Sequence, residues 1–370
     1  MKFYEVTDQV GGEDIWLRRV ASLYGQVPTL IWPKDKLPTI VADSIWNRFL
    51  LKFSLIVERV IPNAGRGLFL NFLFALYKLD DEIIFLSTTY IPVPRGKNVI
   101  AYIHTPSRAM TIDYHSTRDS FKHKSIIYRF LLSVLRFSYR VVYKFSLSHA
   151  KILLVNSLNV QKRVLDFVSV KAELCYPSQD TSSFYSREPE NYFLLVSKIQ
   201  PYKGHDFCLK AFKTFYEQNK NFKLIVISVS PKAEEELVFF KRISAYVSEN
   251  RLPVEFRFDL GREEVIYLYS GAYLCLFCSR NEDLGQVPIE AMASSRPVVS
   301  VRGPGPSETI IDNVTGFLVD DEESMATKML LLANDQSLST QMGRNGRERA
   351  VNMFDDLRFK ECLNRQLERI

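Results

Sequence analysis

Asn281-Glu282-Asp283-Leu284-Gly285-Gln286-Val287-Pro288-Ile289-Glu290-Ala291 follows closely on an apolar run, Leu274-Cys275-Leu276-Phe277-Cys278. A short unbroken apolar run reads as a strand buried on both faces of a parallel sheet. Pro288 reads as the first residue of a helix. Glu282 then lies on the loop leaving the strand's carboxyl end, and Glu290 in the first turn of the helix. In an open α/β sheet, that is where ligands bind. Carboxylates accept hydrogen bonds and donate none, so two of them on one side of a crevice suit a ligand rich in hydroxyl groups, such as a sugar and a ribose. A first-turn carboxylate favoured by the helix dipole would account for Glu290 but not for Glu282.

The same grammar of strand, loop and helix runs through the chain. Strands are expected at Lys2–Thr7, Thr29–Trp32, Ile83–Ser87, Val99–His104 and Ile152–Val155, and again at Tyr192–Ser197, Leu224–Ser228, Val254–Phe258, Ala272–Phe277 and Pro297–Val301. Helical patterns between them predict parallel sheets in doubly wound domains. At 370 residues the chain exceeds what one core organises. The polar break Pro177-Ser178-Gln179-Asp180-Thr181-Ser182-Ser183 divides it into an N-terminal domain, 1–178, and a second, 179–353. Phe354 to Ile370 reads as one charged amphipathic helix, 354–370.

Charge falls unevenly. Residues 1–180 hold 24 Lys and Arg against 15 Asp and Glu, whereas 181–370 hold 24 against 27, so the first domain is the one suited to an anionic partner. Part of that charge sits in Ser125 to Ser148, where Arg129, Arg136, Arg140 and Lys144 share one helical stripe, with Phe130, Leu131, Val134, Phe137 and Val141 on other faces. This is either a packed domain helix or a face for an anionic membrane surface. Its aromatics read as core rather than displayed, and with no recognisable nucleic-acid module, nucleic acid is not an expected partner. The longest apolar run, Gly67 to Tyr77, contains Asn71 and is too short to span a bilayer. The start, from Met1, has no signal-peptide layout, and the five cysteines are unpatterned, so a cytoplasmic location is expected. Cys275 and Cys278 read as buried thiols rather than metal ligands, since residues three apart on a strand point to opposite faces.

Lys198 and Lys203 come just after the strand Tyr192–Ser197 and would bring two ammonium groups to the same crevice, as counter-charge for a diphosphate. Gly11-Gly12 follows the first strand and opens a helix, where glycines let backbone N–H groups approach an anion. It is neither a Rossmann fingerprint nor part of a Walker sequence. His104 ends a strand, and Arg108 lies four residues on. Asp80-Asp81-Glu82 and Asp320-Asp321-Glu322-Glu323 read as solvated turns, so no D-x-D metal site is indicated.

Glu282 to Glu290 resembles the E-x7-E motif of the retaining glycosyltransferases of family 4, the glycosyl transferases group 1. Other pieces fall in that family's order: Gly11-Gly12, Tyr102-Ile103-His104-Thr105-Pro106-Ser107-Arg108, Asn156-Ser157, Cys175-Tyr176-Pro177, Lys198 with Lys203, Gly303 to Glu308 and Thr315-Gly316-Phe317-Leu318-Val319. His-Thr-Pro-x-Arg, Tyr-Pro and Glu-Asp-Leu-Gly are most similar to the mannosyltransferase branch. The resemblance implies the α/β GT-B fold, two doubly wound Rossmann-like domains facing across a cleft, with the last helix crossing back to the first. It implies a retaining hexosyltransferase, first of all a mannosyltransferase using GDP-mannose, with a glycan or lipid-linked acceptor. Lys198, Lys203, Glu290, Gly285, Gln286, Val287, Gly11 and Gly12 would bind the donor. Glu282, His104 and Lys203 would take part in the chemistry, and His104 and Arg108 would face the acceptor. No metal or other cofactor is expected, the lysines standing where other transferases use a divalent ion. The family's usual pair is Arg then Lys, so Lys198 departs from it and loses the bidentate fork. A UDP-sugar transferase of the same family and a non-catalytic nucleotide-sugar-binding subunit are the alternatives. The basic N-terminal domain suggests a peripheral place on the inner face of a membrane.

Overall fold

A computed structural model describes residues 1–6, 12–31, 81–88, 93, 95–105 and 126–370. Within them the apolar runs form two parallel sheets in two units, Met1–Ser178 with Phe359–Ile370, and Gln179–Arg358. Gly11, Pro106, Arg108 and the run Gly67 to Tyr77 lie outside the described residues, as do the side chains of Arg129 and Arg136.

The first sheet contains β1 (Lys2–Val6), β2 (Thr29–Ile31), β3 (Ile84–Thr88), β4 (Val99–Ile103), β5 (Ala150–Val155) and β6 (Glu173–Leu174), in the order β2-β1-β3-β4-β5-β6. Every residue of β4 is buried, as a strand covered on both faces requires. Among the described residues its helices include α1 (Gly12–Ser22), α2 (Ile126–Leu147) and α3 (Leu158–Val168), the last capped by Ser157, whose hydroxyl accepts the Val160 N–H at 3.2 Å.

The second sheet contains β7 (Tyr192–Val196), β8 (Lys223–Ser228), β9 (Val254–Phe258), β10 (Leu274–Phe277), β11 (Val298–Val301) and β12 (Gly316–Val319), in the order β12-β11-β10-β7-β8-β9. Around it lie α4 (His205–Gln218), α5 (Glu234–Glu249), α6 (Arg262–Gly271), α7 (Gln286–Ala293), α8 (Pro304–Thr309), α9 (Glu322–Asn334) and α10 (Gln336–Phe354). All four side chains of β10 are buried, and Leu274, Leu276 and Phe277 each contribute about 1.5–3 kcal/mol of apolar transfer free energy when fully enclosed. The five cysteines are free and buried, and Cys278 Sγ rests 3.9 Å from Met325 Sδ in the core. The acidic run at Asp320 is more than a solvated turn: Asp321 caps α9 by accepting the Ser324 N–H at 2.7 Å.

The helix expected from Phe354 to Ile370 is present but begins two residues later. Phe354 ends α10, Asp355 is extended, and α11 runs Asp356–Leu367. Asp355 is held by the Thr181 hydroxyl and itself accepts the Leu357 N–H at 3.0 Å, which caps the new helix. That helix packs on the first unit. Phe359 sits edge-on to Trp16 at 5.5 Å, and Tyr24 donates to Asn364 Oδ1 at 2.9 Å. Among the described residues no helix is long and apolar enough to cross a membrane.

Candidate functional site

In the second sheet the strand order reverses between β7 and β10, which pair directly, with Leu274 opposite Phe193 and Leu276 opposite Leu195. At such a switch point the loops at the carboxyl ends part and leave a crevice. The loop after β7 carries Lys203 on a single 3-10 turn, Pro201–Lys203, and the loop after β10 carries Glu282. The two side chains meet there in an ion pair between Lys203 Nζ and Glu282 Oε1. Ser279 Oγ donates to the same oxygen at 2.9 Å.

Close backbone approach fixes both loops. Gly204 has φ +75°, and a Cβ on it would overlap the Cys278 carbonyl. Gly305 N donates to Glu282 O at 3.0 Å, and a Cβ at Gly305 would lie 2.7 Å from that oxygen, so the Gly303 to Glu308 segment seats against the Glu282 loop. Gly204→Ala should therefore destabilise the second unit by about 2–4 kcal/mol, combining the left-handed backbone penalty with overpacking. Thermal denaturation checks this: a drop in Tm of about 5–10 °C is expected.

Glu290 lies elsewhere than the sequence suggests. α7 begins at Gln286, after Gly285 at φ +89°, so Pro288 is its third residue and Glu290 its fifth. The glycine admits a left-handed entry that starts the helix two residues early. Glu290 is thus beyond the first turn, and the helix dipole does not explain it. Its carboxylate instead takes Arg262 Nη1 at 2.7 Å, and that guanidinium also lies over the Phe184 ring, 4.9 Å from its centroid. The neighbouring Tyr269 hydroxyl is pushed well above its ordinary pKa by burial and by the Glu290 charge. Arg262 was not foreseen from sequence, yet a cation at the start of a helix opposes the dipole and so signals an acidic partner.

Lys198 pairs with Glu236. Its ammonium is 3.2 Å from Glu236 Oε1, which also accepts Gln200 Nε2 at 3.0 Å. The Lys232 and Ala233 N–H groups and Lys198 hold the Glu236 carboxyl down to about 2. Of the two predicted lysines, Lys203 is the one set against Glu282. The N–H groups of Gln286 and Val287 open α7, where a helix has no internal acceptors for its first donors. The Lys203–Glu282 pair and the N–H groups at the start of α7 are chemically suited to an anion joined to hydroxyl-bearing groups.

His205 follows Gly204 and is buried under the Lys203 loop, with neither ring nitrogen making a well-formed hydrogen bond. Burial pushes it down to about 4, the nearby Ser197 and Gln200 carbonyls offsetting this only in part. A histidine with a lowered folded pKa binds fewer protons folded than unfolded, so its stabilising contribution is complete above about pH 6.5 and is lost as the pH falls toward 4. Stability should fall by about 2 kcal/mol between pH 7 and pH 5 through this group. Denaturant melts of the wild type and His205→Phe check this, the variant showing a flatter profile.

In the first unit, His104 follows β4 and is buried, its Nε2 2.9 Å from Ser87 Oγ and its ring edge-on to Trp16 at 4.6 Å. Gly12 opens α1, the helix that carries Trp16. Arg163 of α3, also unforeseen, brings Nη1 to 3.2 Å from Thr105 Oγ1.

The two parallel-sheet units are those of the GT-B fold. Residues 178–349 match the family Glycosyl transferases group 1. An uncharacterised glycosyltransferase of Methanocaldococcus jannaschii is 28% identical over 215 residues, 56% of this chain and 57% of its own length. Human Alpha-1,3/1,6-mannosyltransferase ALG2 is 25% identical over 336 residues, 80% of this chain and 76% of its own length. Anabaena Alr3699/HepE, solved in complex with UDP-glucose, superposes with a TM-score of 0.67 at 15% identity over the whole of both chains.

Proposed function

We propose that the protein transfers a hexose from a nucleotide sugar to a glycan or lipid-linked glycan acceptor, with mannose from GDP-mannose the first candidate donor. The observation that carries this is the Lys203–Glu282 pair at the switch point, with Glu290 on the helix that follows. Similarity to a human mannosyltransferase supports the choice of sugar.

In this reading Glu290 accepts hydrogen bonds from the ribose hydroxyls and Glu282 from a hydroxyl of the sugar. The N–H groups of Gly285, Gln286 and Val287 lie alongside. Lys203 faces the diphosphate, with Lys198 a second positive charge for the donor. As the bond from the sugar's anomeric carbon to the phosphate oxygen breaks, the charge left on the diphosphate grows, and the ammonium stabilises it without a divalent ion. The acceptor hydroxyl forms the new bond on the face the diphosphate leaves, with retention, and its proton passes to the departing phosphate. The first unit supplies the acceptor side, where His104 hydrogen-bonds a hydroxyl and does not act as a base. Gly11 and Gly12 belong to the donor side of the reading, and Arg108 completes the acceptor side.

Thermal stabilisation across GDP-mannose, UDP-glucose, UDP-galactose, UDP-GlcNAc and the free nucleotides tests it. A ligand at about 100 times its Kd adds about 2.7 kcal/mol. A shift for GDP-mannose, lost in Glu290→Ala and undiminished by EDTA, is the expected result. A shift for a UDP-sugar alone replaces the donor, and no shift for any donor overturns the assignment.

A further inference from the structure

Helix α2 carries two apolar faces. Tyr139, Tyr143 and Leu147 are buried in the first unit's core. At about 100° per residue, Val134, Phe137, Val141 and Phe145 fall on the opposite side, and all four are exposed, Phe137 at 68%. The reading of these aromatics as core is therefore corrected: Phe137 and Phe145 are displayed. A core helix needs one apolar stripe, with polar residues opposite it. Here the outward side holds a second stripe, and Arg140 and Lys144 flank it, both exposed. The 22 residues of α2 contain four basic residues and no carboxylate. Arg95 adds a further exposed cation, its guanidinium 5.9 Å from the centroid of the Phe145 ring.

Displayed aromatics beside unopposed cations match a surface with an apolar layer beneath an anionic one. We propose that the outward face of α2 docks on a bilayer bearing anionic headgroups, with Phe137 and Phe145 entering the interface and Arg140 and Lys144 on the headgroups. Amphipathic helices that lie in the plane of a membrane combine these two attractions. A second copy of the chain would present the same cations to one another and be repelled. A docked first unit would meet a lipid-linked acceptor where it is anchored, but the docking does not depend on transfer.

Vesicle flotation of the full chain tests the proposal without donor or acceptor, so its outcome is separate from that of the transferase reading. The protein should float with vesicles of phosphatidylcholine plus phosphatidylglycerol, not with phosphatidylcholine alone, and rising salt should release it. Phe137→Ser with Phe145→Ser should weaken partition at least about tenfold. Arg140→Ala with Lys144→Ala should weaken it and flatten the salt dependence. Both pairs should keep the wild-type Tm, since the substituted side chains are exposed. Absence of flotation, equal flotation on both vesicles, or binding unchanged in the variants overturns the proposal. So does a dimer in solution that the Phe137→Ser with Phe145→Ser variant dissociates.

Discussion

Lys203→Ala should lower kcat for sugar transfer by about 10²–10³-fold, with a smaller effect on KM. An ammonium about 4 Å from a phosphate oxygen is worth about 4 kcal/mol at an effective dielectric near 20. Part of that attraction is already present with the bound donor, and part of the ammonium's charge is answered by Glu282. The interaction that grows as the diphosphate departs is the part that raises kcat. Lys198→Ala is the control, because its ammonium is engaged with Glu236; its loss should stay within about tenfold, as for a charge largely answered by that carboxylate. Loss of a partly exposed ion pair costs at most about 1 kcal/mol of stability, so Lys203→Ala should stay folded, and Lys203→Arg should restore part of the rate. Equal losses for the two lysines would show that Lys203 has no special place on the leaving group. Steady-state kinetics of the three variants decide it.

What could be read from sequence was what periodicity encodes. Leu274 to Phe277 is apolar at every position, as a strand enclosed on both faces must be, and the chain folds it so. Lys203 and Glu282 could be placed on loops at strand ends because strand and loop are local properties. Their pairing across 79 residues depends on which strands are neighbours, and the β7–β10 pairing is not written in either segment. The same is true of Arg262 with Glu290 and Lys198 with Glu236. The first residue of α7 was misplaced because proline marks helix starts on average, whereas Gly285 here makes an earlier start possible. The later helix start goes with an extended Asp355 whose carboxylate accepts from Thr181, a partner far back in the chain that the local pattern does not contain. Phe137 read as core because hydrophobic pattern reports that a residue is apolar, not which neighbour covers it.

Glu282→Gln should have opposite effects on two ligands of one site. With the carboxylate present, a nucleoside diphosphate must share Lys203 with Glu282 and meets a like charge beside it. Two negative charges about 6 Å apart repel by about 3 kcal/mol at an effective dielectric near 20. Solvent reaches both side chains, each about a quarter exposed, so about half of that should be realised. The amide removes the repulsion and releases the ammonium, and free nucleoside diphosphate should bind about tenfold more tightly. A nucleotide sugar repays the wild-type cost by giving Glu282 a hydroxyl donor in exchange for the lysine. Hydrogen bonds to charged groups contribute about 1.5–3 kcal/mol, and the amide, which is uncharged, recovers little of that. Transfer should accordingly fall by at least about tenfold while the product nucleotide binds better, so that product inhibition deepens as turnover slows. Titration calorimetry with the nucleoside diphosphate, set beside initial transfer rates, reads both directions. Weaker diphosphate binding in Glu282→Gln would mean that the carboxylate supports the phosphate site rather than competing for Lys203, and the pair would then be a fixed part of the site instead of one that opens to admit the donor.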